Sequence, residues 1–162
     1  MRALVALVAL TLAVGCSPSR PRGAANRSQL QTREFQTRAY DTQDTAMVMK
    51  ALVNVLQDQG FIIKAVNNDV GVITATKQQQ AGREWDPHPL HFGWWPILRT
   101  WEASVNVSQF GRETKVRVNV QLTATNYETG QMWYVYDVDD PTYYRDFFAK
   151  VDKGIFIQKE KL

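Results

Sequence analysis

The chain of 162 residues is expected to fold as an α+β domain. The sheet would be antiparallel, of about five to six strands with two helices on one face, in the order β-α-β-β-(long loop)-β-β-β-α. Three observations predict this. Two segments alternate apolar and polar residues with a period of two, two others repeat apolar residues at helical intervals, and several strands follow one another instead of alternating with helices.

The elements can be justified in order. Glu34 to Tyr40 is read as a first strand, leading into Asp41-Thr42-Gln43-Asp44, where Asp41 or Thr42 can accept from exposed amides and Asp44 favours the positive end of a helix. Val48, Ala51, Leu52, Val55 and Leu56 then recur on one helical face, with Lys50, Asn54 and Gln57 away from it. Gly60 ends that helix with positive φ, and Phe61 folds back onto the last turn. Phe61 to Val66 and Gly71 to Lys77 form a hairpin across the turn residues Asn67-Asn68-Asp69.

Gln78 to Thr100 is expected to be a long loop. Beyond it Trp101, Ala103, Val105 and Val107 alternate with polar residues up to the turn at Gly111, and Val116, Val118, Val120, Leu122 and Ala124 repeat the pattern. A further turn, Asn126 to Gly130, leads into a strand from Gln131 to Asp137. Asp139-Asp140-Pro141 starts a second helix carrying Tyr144, Phe147, Phe148, Val151 and Ile155 at helical spacing, with Gly154 ending or bending it. Because the best strands have one apolar face each, both helices should pack on that face.

The first residues concern address. Met1 and Arg2 precede a twelve-residue apolar run, Ala3 to Val14, which is the length of a secretory signal and too short to span a bilayer. Leu12-Ala13-Val14-Gly15-Cys16 holds the only cysteine and resembles the lipobox of bacterial lipoproteins. The resemblance implies a diacylglyceryl group on the Cys16 sulfur and cleavage before it. Residues 1–15 are therefore expected to be a signal peptide that is removed, 16–33 a lipidated cysteine with a disordered basic linker, and 34–162 a single α+β domain.

Charge divides the same way. The first 33 residues hold five of the nineteen basic residues and none of the sixteen acidic ones, leaving the domain fourteen basic against sixteen acidic, or −2. The cations belong beside the membrane, and no nucleic-acid partner is expected.

YDTQD followed by KALVNVLQDQGFIIKAVNNDVGVITATK, from Tyr40 to Lys77, resembles a segment of small bacterial lipoproteins with a helix-grip type domain. The element order is also similar to one domain of a lipoprotein component of the outer-membrane β-barrel assembly machine. The resemblance implies a scaffold. With the lipobox, and with Ser17 in place of the aspartate that retains enteric lipoproteins at the inner membrane, it implies the periplasmic face of the outer membrane.

Candidate chemistry is sparse. Asp86, His88 and His91 are three possible metal ligands, but Pro87 and Pro89 hold the backbone between them extended and no fourth ligand accompanies them, so no metal is expected. Asp137, Asp139 and Asp140 sit where carboxylates cap a helix, with no histidine or cysteine beside them. There is no glycine-rich phosphate loop. The chain is read as a non-enzyme without a cofactor: an envelope lipoprotein that binds or assembles with a protein, the alternative being a carrier of an apolar ligand between sheet and helix. The expected partner site is aromatic, at Trp85, Phe92, Trp94 and Trp95, stiffened by Pro87, Pro89 and Pro96.

Overall fold

The computed structural model describes residues 28–86 and 93–160. The elements run α1 (Gln29–Phe35), β1 (Thr37–Tyr40), α2 (Thr45–Asp58), β2 (Ile62–Asn67), β3 (Val72–Asp86), β4 (Gly93–Phe110), β5 (Glu113–Asn126), β6 (Met132–Asp137) and α3 (Pro141–Glu160). All strand pairs are antiparallel, in the order β1-β5-β4-β3-β2, with β6 also on β5. The α+β class and the antiparallel sheet are as the sequence predicts. The helix count and the order are not.

Three helices are present instead of two. The extra one, α1, begins where the sequence predicts a strand and the tail of a linker. Ser28 and Gln31 form a capping box there, the Ser28 side chain accepting from the Gln31 amide and the Gln31 side chain from the Ser28 amide. No residue of α1 is buried, so it has no apolar stripe for a sequence reading to find.

The second correction concerns Gln78 to Thr100, which is not a loop among its described residues. β3 continues through Gln78 to Asp86 and pairs with Gly93 to Thr100 of β4. The alternation is hidden because Gln78, Gln79 and Gln80 put polar side chains on both faces, and because the register shifts between Gln80 and Arg83 around Gly82, at φ 78°. Such a bulge exchanges the faces of the residues beyond it.

The third concerns α3, which runs through Gly154 to Glu160. Gly154 lies instead against Ala51 and Val55 of α2.

Both long helices cover one face. Val48, Ala51, Leu52, Val55 and Leu56 from α2 and Tyr144, Phe147, Phe148, Val151 and Ile155 from α3 share a core with Ile73, Ala75, Ala103, Val105, Val107, Val116, Val118 and Val120. The α2 cap is Asp44, whose Oδ1 accepts from the Met47 amide at 2.8 Å, while Thr42 in turn accepts from the Asp44 amide. Gly60 has φ 82° and Phe61 is buried, as expected. In the β2–β3 turn, Asn67 Oδ1 accepts from the amides of Asp69 and Val70. Gly71, at φ 65°, tolerates no side chain, since a Cβ there would stand 2.0 Å from the Val107 carbonyl oxygen.

β1 and β6 lie end to end along the same edge of β5, beside Thr114 to Arg117 and Gln121 to Thr125. Between them stands Tyr144 from α3. Its hydroxyl accepts from the Val120 amide (3.2 Å) and from Gln36 Nε2 (3.2 Å), and donates to the Val138 carbonyl (2.8 Å). Gln36, which is buried, also donates to Asn119, and its carbonyl accepts from the Val118 amide. The clasp satisfies backbone groups of β5 that neither short strand reaches.

The strands outrun the helices. At about 3.3 Å per residue the 18 residues of β4 extend roughly 60 Å, whereas the 14 residues of α2 and 20 of α3 give about 21 and 30 Å. The β3–β4 arm, flanked by the ends of β5 and β6, therefore projects past the helical layer.

Candidate docking site

Strand alternation sorts the arm into two faces. On β4 the odd-numbered Ile97, Arg99 and Trp101 continue the line of Ala103, Val105 and Val107 and so share the helix-covered side. The even-numbered Trp94, Pro96, Leu98 and Thr100 stand on the other. Direct partners share a face, which assigns the neighbouring strands through their registers.

On the inner face Glu84 pairs with Trp95 and Gln79 with Arg99 on the ladder, and Tyr134 and Tyr136 of β6 pair with Ala124 and Leu122 of β5. Arg99 Nη2 donates to Glu84 Oε1, forming an ion pair. A hydrogen bond with Tyr134 and the Glu84 charge raise the Arg99 pKa, against some loss of solvent. Burial raises the Tyr136 phenol, with Tyr134 adding to it, and the two tyrosine rings stack at 5.8 Å. Next to them is an open hollow of about 440 Å³ lined by Trp101, Leu122, Tyr136, Val138, Asp139 and Asp140, with Arg99 at its side.

On the outer face Trp85 and Trp94 are direct cross-strand partners. Their ring centroids lie 5.6 Å apart at 59°, and they remain 42% and 61% exposed. A tilted pair at this spacing gains from ring contact while leaving both rings to solvent. The ladder on either side holds them in register, so little freedom remains to be lost on contact with a partner.

The expected aromatic site thus divides. Trp85 and Trp94 come together on the outer face, whereas Trp95 is on the inner face opposite Glu84 and is half-buried. Phe92 lies outside the described residues, as do Cys16, His88 and His91. Of the carboxylates, Asp137 accepts from Gln121 Nε2 and Asp140 accepts from the Thr142 amide in the first turn of α3. Among the described residues no group of three His, Cys, Asp or Glu side chains is placed to hold a metal ion. No described helix is long and apolar enough to cross a membrane.

Sequence reasoning missed the Glu84, Arg99, Tyr134 and Tyr136 network. One indication was available: Arg99 shares the odd parity of Trp101, Ala103 and Val105, which puts a cation on an apolar face and calls for a partner there.

The described residues form an α+β fold with a protruding aromatic arm, and comparison with known proteins adds little to that. No protein-family model matches the chain, and no curated protein matches it. Among solved structures it is similar to a DUF4468 family protein from Bacteroides ovatus, with a TM-score of 0.43 and 10% identity over 74% of this chain and 84% of that one. At that distance the likeness carries no argument.

Proposed function

We propose that the chain is an envelope lipoprotein of the helix-grip type, tethered through acylated Cys16 to the periplasmic face of the outer membrane, whose arm docks an envelope protein. The observation that carries the docking is the exposed Trp85–Trp94 pair, since tryptophans held on a paired strand supply large contact area for little ordering cost. The tether rests on the lipobox resemblance and on the basic residues that follow it.

The carrier reading is less well supported. The space between helices and sheet is filled by Val48, Leu52, Tyr144, Val151, Ile73 and Val118, all at 0% exposure. An apolar ligand would therefore need a surface hollow, such as the inner-face one beside Trp101.

Crosslinking in intact cells tests docking. Replacing both Trp85 and Trp94 by alanine should abolish partner adducts while lowering the melting temperature by only a few degrees, about 1–2 kcal/mol, because the rings lie outside the helix-covered core and remain 42% and 61% exposed. A large loss of stability with unchanged adducts would make the pair structural and overturn the proposal. Membrane fractionation tests the tether separately. Cys16→Ser should release a folded protein into the soluble fraction, and unchanged partition into detergent would rule the lipid anchor out.

A further inference from the structure

The tryptophan pair is not isolated on its face. Thr125 of β5 lies between Leu98 of β4 and Met132 of β6, and Thr123 between Thr100 and Val135. All six stand on the outer face with Trp94. Tyr127 prolongs β5, its amide donating to the Pro96 carbonyl at 2.8 Å, which puts it beside Pro96 by the same alternation. Trp85, Trp94, Tyr127, Met132 and Val135 are 42%, 61%, 60%, 61% and 41% exposed. Together they present on the order of 500 Å² of apolar-rich surface, near the upper limit for the largest patch on a monomer and typical of patches that bind something.

Composition and charge indicate what is bound. Tryptophan, tyrosine, methionine and arginine are the types enriched at protein interfaces, while charged residues are depleted at their centres. Arg83 pairs with Pro96 at the margin of this patch, is exposed, and makes no ion pair among the described residues. Thr100, Thr123 and Thr125 put hydroxyls among the apolar groups, which suits a surface able to hydrogen-bond more than it suits hydrocarbon. Toward the helical half, the same face turns polar at Glu102, Ser104, Asn119 and Gln121, which limits the patch to the arm.

We infer that the docking surface is the outer face of four strands, from Trp85 and Trp94 across to Tyr127, Met132 and Val135, and that it fits a protein with a flat apolar centre and a carboxylate at its rim facing Arg83. The inference rests on the docking proposal and extends it from a hairpin to a sheet face.

The test places a photoreactive amino acid, one site at a time, at Trp94, Tyr127, Met132 and Gln121 of the full chain in cells. The result expected is one adduct of the same mass from Trp94, Tyr127 and Met132, none from Gln121, and at least tenfold less of it when Arg83→Glu is added. An adduct from Trp94 without one from Tyr127 or Met132 would overturn the inference and leave the hairpin reading intact. Adducts from no position would overturn both. A product of twice the chain's own mass would assign the face to a second copy, and adducts to lipid alone would assign it to the bilayer; either overturns the inferred partner.

Discussion

Replacing Tyr144 by phenylalanine removes one oxygen atom and keeps the ring, which isolates the clasp between β1 and β6. The ring is fully buried against Phe35 and Tyr143, so packing is retained. Three bonds are lost, but they do not weigh equally. Gln36 Nε2 keeps its bond to Asn119 at 3.2 Å, and Val138 is only half-buried, so water can reach its carbonyl. The Val120 amide has no such recourse, because Val120 is 1% exposed and its partner was the phenol. An orphaned buried amide costs about 1–3 kcal/mol, and for a domain of this size each kcal/mol lowers the melting temperature by about 3 °C. Tyr144→Phe should therefore melt about 3–9 °C lower, with a reduced denaturation midpoint and an unchanged slope. Tyr143→Phe is the control, its hydroxyl standing outside the clasp, and should stay within about 0.5 kcal/mol of the parent. Equal midpoints for the two variants would refute the clasp.

Two further outcomes follow from the same core. Val55→Asp should unfold the domain, because Val55 is 4% exposed against α3 and an unpaired carboxylate there costs several kcal/mol, while Gln57→Ala on the solvent side should be nearly silent; equal thermal stability would refute the α2 face. Alkaline pH should also destabilise the fold. Burial pushes the Tyr143 phenol up to about 12 and also raises that of Tyr144, whereas phenols in the unfolded chain ionise at about 10. The unfolded state then releases its protons first, so stability is complete below about pH 10 and falls as pH rises toward about 12. Constant unfolding midpoints across that window would contradict the buried phenols.

Much of the fold is legible in the sequence where one face is dry and the other wet. The α2 stripe from Val48 to Leu56, the β5 alternation from Val116 to Ala124 and the α3 series from Tyr144 to Ile155 are all buried as their spacing predicts. The arm is not legible, because Gln78 to Gln80 put polar side chains on both faces and because the Gly82 bulge interrupts the period. The aromatic site is half legible. Tryptophan content marks the region, but which ring faces outward depends on parity, so Trp95 cannot be told from Trp94 without knowing the register. Tyr127, Met132 and Val135 join Trp94 only through pairings between β4, β5 and β6, and such long-range registers leave no local trace.

The end-to-end arrangement of β1 and β6 also sets how the domain would respond to load. Tension applied to the chain ahead of Ser28 enters the fold through α1 and then β1, a strand of four residues held by its short ladder on β5, the bonds of Gln36 and one exposed ion pair between Arg38 and Asp152. β6 shares the edge but not the load path, and its pairing with β5 does not depend on β1. A pull strong enough to peel β1 away would leave the rest of the sheet standing and uncover β5 beside Thr114 to Arg117. Under tension from the N-terminal side β1 would thus be the first strand to yield, leaving on β5 an open strand slot of the kind that accepts another chain.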